Sequence, residues 1–563
     1  MPSPIQLLPP EILGIIFEEL YISQNQDLDI GKAGLASLND VNTGESGDGG
    51  GSDSLSNISG GSEEDDSETT PELDKLASAV HERSFFPYSV ALVCPYWEEV
   101  LSAVPEYWTI LRVVCKVGWI EPILCRRHLS YSRDLPIDVF MLRDLSCPDD
   151  IWSQVTEDMA VPGCMKALVP HLHRCRILYF DLTCNTTLPL LPHHVPNGTP
   201  LLRSIVFTVQ SGLLQWDEDN CKHRFSTLLD DDPENILEGP GVEFKPRLKK
   251  LEIDGRNLRR ALAEERSWIR DLEDLEEVKI AFYQPASVSI KRKQVEGSSY
   301  QTPRHECDDC ALEASTVLEW LESINSLSQL SFRAVNFKRL PRDTFPRMFY
   351  DFSHLENVTF SQMNAEDIQE IARYAIFGRY LEDLTMRFWC CSRLSEVRFR
   401  SFNIYNLQLW DLDDDVDLAR FLDQWEGQCL LISECASFSD AFLEVLSAPY
   451  DHYSDGESVD EEDVDSMSYP CTAMNELSLF FPDSTSAPYS IAALRKLVEG
   501  RGKGVDYDEE GWFEQFEHRE WGPVLHTIRL GGKTPDFIEE DRAWFRKHLV
   551  EFVVGDEWIS WYL

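Results

Sequence analysis

Positive charge is what this sequence has least of. Its 563 residues carry 51 Lys+Arg against 98 Asp+Glu, a formal charge of −47. Binding to a phosphate backbone is driven by basic groups that release counterions, so nucleic acid is not an expected partner, and neither is an anionic membrane surface. The same imbalance favours a basic region on a protein target. Cysteine is also too sparse for a disulfide scaffold, with 15 in the chain. Cys94, Cys115, Cys390, Cys391 and Cys435 sit inside apolar runs, where a reduced thiol behaves as a small hydrophobe. That usage points to the cytoplasm or nucleus. No run of about 18 uncharged apolar residues is available to span a membrane. The apolar start MPSPIQLLPPEILGIIFEEL lacks a basic n-region and carries Glu11, Glu18 and Glu19, so it does not read as a signal peptide.

Enzyme fingerprints are equally scarce. There is no G-x-S-x-G, no H-E-x-x-H and no Gly-rich dinucleotide motif. Gly531-Gly532-Lys533-Thr534 resembles the end of a phosphate-binding loop, but the position that must be glycine is Thr527. Cys307 and Cys310, with His305 nearby, make half of a zinc site without a second C-x-x-C. Asp411, Asp413, Asp414, Asp415 and Asp417 lack the glycine and spacing of a calcium loop. The expectation is a protein with no catalytic, cofactor-binding or metal-binding residue, and not an enzyme.

What the sequence does contain is organised in two styles. From about Leu7 to Tyr21 the residues Ile12, Leu13, Ile16, Phe17 and Leu20 recur at helical spacing behind Pro9 and Pro10, which suit a helix start. From about 23 to 72 the pattern gives way to a Gly/Ser/acid stretch that cannot bury enough apolar surface to offset its ordering entropy, the mark of a disordered insertion. Ser62, and Ser458 in a second acidic run at 451–466, each have an acid three residues on, as an acidophilic kinase requires. Helical spacing resumes with Val90, Val93, Trp97, Val100, Leu101 and Val104. Pro95 falls in the first turn of a second helix there, Pro105 closes that helix, and Trp108 and Ile110 are placed to fold back as apolar plugs.

Residues 116–169 read as a linking helical segment. From about 170 a signature repeats at offsets 0, 3, 5 and 9: Leu248, Leu251, Ile253, Asn257; Leu327, Leu330, Phe332, Asn336; Leu355, Val358, Phe360, Asn364; and Leu381, Leu384, Met386, Cys390. Copies without the final Asn or Cys start at Ile177, Leu202, Leu275, Met474, Leu525 and Leu549. Leu394, Val397, Phe399 and Asn403 also match but start too soon after the preceding copy. A period of roughly 20–29 residues with one strand and one helix per unit is the mark of a leucine-rich repeat. The triad would face the solenoid core, and the Asn or Cys would satisfy backbone groups where the chain leaves the strand. The expected fold is therefore α/β, with a small N-terminal helical module at 1–115 and an irregular leucine-rich-repeat-type solenoid over 170–563.

The stretch LLPPEILGIIFEEL followed by VALVCPYWEEVLSAVPEYWTIL resembles the F-box, in particular the F-box-like proteins of mushroom-forming fungi. Leu8, Pro9, Glu11, Ile12, Leu13, Ile16 and Phe17 match its first part, Leu92, Val93, Cys94 and Trp97 its second, and Trp108 its third. The resemblance implies a three-helix module docking on the Skp-type adaptor of a Skp–cullin–F-box ubiquitin ligase. Leu8, Pro9, Ile12, Leu13, Ile16, Phe17, Leu92, Val93, Trp97, Leu101 and Trp108 would carry that contact, and the repeats would hold the target. The family keeps the gap between its first two helices short, whereas here about 60 residues intervene. Closing a loop costs only about 0.6 kcal/mol more per doubling of length, so the insertion is compatible with folding. The family's repeats also place Asn or Cys at offset 8, not 9. The alternative is a repeat scaffold that directs no ubiquitination.

Overall fold

The computed structural model describes residues 8–25, 86–116, 121–145, 150–183, 187–189, 199, 201–209, 247–263, 268–283, 312–339, 348–377, 384–399, 404–412, 416–423, 425–447, 471, 473–482, 484, 486–502 and 525–561. The chain is α/β and divides into two compact units, Met1–Ser211 and Gly212–Leu563. Past Asn25 the expected insertion lies outside the described residues, as does the acidic run at 451–466.

In the first unit, α1 (Pro10–Asn25), α2 (Tyr88–Ala91) and α3 (Pro95–Ser102) come before a 3-10 turn at Pro105–Trp108. Pro95 opens α3 at the position where a missing N–H is harmless, as its place in the sequence predicts. Then come β1 (Ile110–Cys115), α4 (Glu121–Tyr131), β2 (Ile137–Arg143), α5 (Asp150–Leu168), β3 (Cys175–Leu182) and β4 (Ser204–Val209). The strands pair in parallel in chain order. This corrects two boundaries. The segment 116–169 is not only helical, because β2 lies within it, paired on both sides. The sheet also begins at Ile110, well before 170. Every residue from Ile137 to Leu142 is buried, so β2 lacks the alternation that marks a strand with one wet face.

The second unit runs β5 (Lys250–Asp254), α6 (Gly255–Ala263), β6 (Glu277–Tyr283), α7 (Ala314–Glu322), β7 (Gln329–Val335), β8 (Tyr350–Phe352), β9 (Asn357–Ser361), α8 (Ala365–Tyr374), β10 (Ala375–Phe377), β11 (Thr385–Trp389) and β12 (Asn406–Trp410). It continues with α9 (Leu418–Leu422), β13 (Cys429–Ser433), α10 (Asp440–Ser447), β14 (Glu476–Phe481), α11 (Ile491–Gly502), β15 (Thr527–Gly532), α12 (Glu539–His548) and β16 (Glu551–Val554). All except β8 and β10, which pair with each other, join one parallel sheet in chain order. Parallel strands need a crossover, and a helix supplies most of those described here. In α8 Asn364 Oδ1 accepts from the Asp367 N–H at 3.0 Å, acids fill the first turn and Arg373 the last, in line with the helix dipole. In α12 Glu539, Glu540 and Asp541 open the helix, and Arg546, Lys547 and His548 close it.

Strand register fixes the repeat phase. Leu251, Val278, Leu330, Val358, Met386, Leu407, Leu430, Leu477, Ile528 and Phe552 form one continuous row, and Ile253, Ile280, Phe332, Phe360, Phe388, Leu409, Ile432, Leu479, Leu530 and Val554 the next. The starts at Leu248, Leu275, Leu327, Leu355, Met474, Leu525 and Leu549 agree with these rows. The copy read from Leu381 is two residues out, because Phe388, not Met386, lies beside Phe360. The copy read from Ile177 is two residues out in the opposite direction, since Leu178 and Phe180 pair with Ile205 and Phe207. Leu394 begins no repeat at all, since Leu394–Glu396 is a 3-10 turn on the return path.

The polar position at the strand exit is corrected with the phase. Cys391, not Cys390, is the buried thiol, and it donates to Phe360 O at 3.3 Å. Cys435 does the same to Leu409 O at 3.5 Å. In the corrected phase both occupy offset 8, the usual leucine-rich-repeat position. Strand exits also turn through left-handed backbone at Phe282, Ala334, Gln362, Cys390, Asp411, Glu434 and Gly532. Six of these seven are not glycine, so local sequence gives no sign of the turn.

Candidate interaction surfaces

The helical part of the first unit has a core and an apolar exterior. Leu13, Phe17, Leu101 and Trp108 are buried together with Ala91. Phe17 meets the Trp97 ring edge-on at 5.3 Å, and Trp108 Nε1 donates to Leu101 O at 3.0 Å, so Trp108 is the plug its position predicts. Tyr96 Oη ties the chain start down by donating to Leu8 O at 3.1 Å. Four of the eleven residues matched to adaptor contact are thus core, and Leu8 and Trp97 are half-buried. Pro9, Ile12, Ile16, Leu92 and Val93 face outward, with Leu92 74% and Val93 52% exposed. Ile15, Leu20 and Ile22 extend the exposed apolar surface of α1 and were not among the expected contacts. At helical spacing Ile12, Ile15 and Ile16 form a stripe beside the buried Leu13 and Phe17. Binary reading of the sequence merges the two stripes into one face.

This module is locked to the repeats that follow it within the unit. Tyr88 Oη and His128 Nδ1 on α4 are 2.6 Å apart. Burial raises the Tyr88 pKa well above its ordinary value, so the phenol keeps its proton and donates it. Burial, with a further contribution from Arg174, pushes His128 down to about 3, so the imidazole is neutral and accepts. Trp108 packs edge-on against both His128 at 5.4 Å and Tyr131 at 4.7 Å. Arg174 threads beneath, donating to Leu135 O at 2.7 Å, Leu129 O at 2.9 Å and Ser132 Oγ at 3.0 Å.

The second unit offers a sheet face. Residues between the buried rows point away from the core, because side chains alternate along a strand. On β5 and β6 these are Lys250, Glu252, Glu277 and Lys279, which pair crosswise at 3.2 Å (Lys250–Glu277) and 2.8 Å (Lys279–Glu252). On β14 to β16 Arg529 joins Glu476 and Glu551. Beside them Leu431, Trp558 and Ile559 cluster with Trp410, Phe480 and Val553, so the 3-10 turn Glu557–Trp561 lies over this end of the face. Gly531 makes the room: a Cβ there would stand 2.8 Å from Phe480 Cδ2 and 3.2 Å from Trp558 Cζ2. Between these flanks, β7, β9, β11 and β12 present Arg333, Arg387 and Trp389, with Trp410 at the edge of the covered cluster. Arg333 Nε donates to Gln362 Oε1 at 3.3 Å, with its guanidinium 4.8 Å above the Phe282 ring. Arg387 Nε donates to Gln408 Oε1 at 2.8 Å, 5.9 Å from the Trp410 ring. Trp389 is 51% exposed.

No family model and no curated protein matches this chain.

Among the described residues no group of three or more His, Cys, Asp or Glu side chains could hold a metal, and no helix is long and apolar enough to cross a membrane. His305, Cys307, Cys310, Asp413, Asp414, Asp415, Ser62 and Ser458 lie outside the described residues. Of the acids singled out, Asp417 caps α9, its Oδ1 accepting from the Arg420 N–H at 3.1 Å. Asp411 Oδ2 accepts from Cys390 Sγ at 3.0 Å. Gly531 and Gly532 end β15 and serve the covering turn. The thiols of Cys175, Cys429, Cys435 and Cys471 are each pushed up to about 12 by burial, which removes them as nucleophiles.

Proposed function

We propose that this protein is the target-recognition subunit of a Skp–cullin–F-box ubiquitin ligase. In this reading α1, α2 and α3 form the F-box-like module. The observation that carries it is the outward apolar surface made by Ile12, Ile16, Leu92 and Val93. These residues come from two separate stretches of chain, and they match the F-box pattern. An exposed apolar set of this kind is unfavourable in water and is characteristic of a docking surface. The parallel-sheet array then holds the target, and transfer is accelerated by proximity without catalytic groups of the protein's own.

The test is co-purification with a Skp-type adaptor. Leu13 is a poor probe, because a charge at that buried site would unfold the module. Ile16→Asp/Leu92→Asp alters only exposed side chains. It is expected to reduce adaptor capture at least tenfold while leaving the circular dichroism spectrum and melting temperature within error of wild type. Wild-type protein that captures no adaptor, even with residues 26–80 deleted, would rule the ligase role out. Capture of adaptor without cullin from native complexes would replace it with a scaffold role.

A further inference from the structure

The open face of the second unit is divided by charge. Strands β7, β9, β11 and β12 read QLSFRAV, NVTFS, TMRFW and NLQLW, without a single Asp or Glu. Their outward positions carry hydroxyl and amide groups, two arginines and the exposed Trp389. To one side the ions of β5 and β6 are satisfied by each other, and to the other Trp558 and Ile559 cover the sheet. We infer that the face of β7 to β12 seats an extended acidic segment of the target protein, its carboxylates on Arg333 and Arg387 and an apolar side chain against Trp389. This rests on the reading that the array is the target-holding half, and does not depend on adaptor docking.

Three features fit that occupant. Each guanidinium lies near an aromatic ring and gives its Nε hydrogen to a glutamine carbonyl, so its plane is set before a ligand arrives and little side-chain freedom is lost on binding. Arg333 and Arg387 lie two strands apart and two residues out of row, roughly 12 Å at about 4.8 Å per strand and about 3.4 Å per residue. That falls between the ~7 Å and ~13 Å that separate same-side residues two and four apart on an extended chain. Ser331 and Thr359 lie in the same cross-strand row as Arg387 and add neutral donors between the cations. The local sign is opposite to the formal charge of −47, from which a basic target would be expected. A ligand responds at close range to the groups it touches, because contributions beyond about 8–10 Å are screened at physiological salt.

The probe is a fluorescein-labelled decapeptide of alternating Glu and Leu, titrated by anisotropy into the full chain, with Gln/Leu and Lys/Leu peptides alongside. The Glu peptide is expected to bind at least tenfold more tightly than the Gln peptide. That preference is expected to fall at least tenfold in Arg333→Gln/Arg387→Gln. Trp389→Ala is expected to weaken the Glu and Gln peptides alike, and Lys496→Gln, which removes an exposed charge on α11, is expected to change neither. Arg333→Gln alone disturbs an exposed hydrogen bond and one ring contact, and guards against misfolding of the double variant. Equal or tighter binding of the Lys peptide overturns the inference, as does wild-type affinity in the folded arginine variants. A tenfold gain on deleting 451–466 would name this chain's own acidic run as the occupant instead. The arginine variants should capture adaptor as wild type does. Peptide binding that persists in a wild-type chain unable to capture adaptor would remove only the ligase role.

Discussion

Gly427 stands at a repeat start, where the register calls for a large apolar residue, and Trp425 explains the exchange. The Trp425 indole is buried there and donates from Nε1 to Ile404 O at 2.8 Å. A Cβ on Gly427 would stand 2.4 Å from that nitrogen and closer still to the Ile404 carbonyl. Neither neighbour is a flexible tip that can swing away. Gly427→Ala should therefore destabilise the second unit by at least about 2–3 kcal/mol, as overpacking of a rigid site does. The reading is a lowered denaturant midpoint at unchanged slope, and a midpoint equal to wild type would show that the backbone can shift. The same pair accounts for the repeat the sequence conceals. A search for leucine at offset 0 passes over glycine, and the tryptophan that replaces it lies two residues earlier.

At the scale of elements, the sequence showed where most strands lie but not always their phase. Leu355, Val358 and Phe360 can be read in one way only, because polar residues separate them. The run from Leu384 to Cys391 has Leu384, Met386, Phe388 and Cys390 at alternating sites, with Cys391 directly after them. The apolar triad fits Leu381, Leu384 and Met386, whereas the actual phase puts Asp383 at offset 0, and only pairing with Phe360 reveals it. Ile404, Leu407 and Leu409 fit the pattern but were masked by the nearby Leu394 match. The arginines and tryptophans of the open face were invisible for the same reason: which residues point outward is defined only after the phase is known. On the helical side, periodicity found α1 and α3 yet could not divide Ile12 and Ile16 from Leu13 and Phe17, since both pairs satisfy helical spacing. The covering turn Glu557–Trp561 has no periodic signal at all. Its seat is the notch at Gly531, so Gly531→Ala should lift the turn while the sheet persists. Hydrogen exchange of residues 555–561 should accelerate at least tenfold, with β13 and β14 protected as before. Unchanged exchange in the turn would mean that Phe480 and Trp558 absorb the added methyl.

For the molecule as a whole, the two units carry buried titratable groups of opposite sign. In the first, His128 is held near 3 against an ordinary 6.5, so the unfolded state takes up its proton first on acidification. The stability it contributes is complete above about 6.5 and is lost as pH falls toward 3. In the second, burial raises Asp367 to about 6 from 3.8 despite the Phe337 N–H at 2.8 Å, Asn364 and Arg339. Here the folded state takes the proton first, so the contribution is complete below about 3.8 and is lost as pH rises through 6. Between pH 7 and pH 5 His128 should therefore cost the first unit about 2 kcal/mol, while Asp367 returns about 1 kcal/mol to the second. Asp138, raised by burial against the Arg176 guanidinium, takes up a proton in the opposite sense to His128 within the same unit. The histidine's share is consequently read as the difference between wild type and His128→Phe, and the aspartate's as the difference between wild type and Asp367→Asn. With intrinsic rates corrected for pH, hydrogen exchange should show protection at residues 86–131 falling on acidification more steeply in wild type than in His128→Phe. Protection at 350–377 should rise in wild type and not in Asp367→Asn. Parallel pH profiles for either variant and wild type would mean that its side chain titrates alike in the folded and unfolded chain, and the buried environment assigned to it would be wrong.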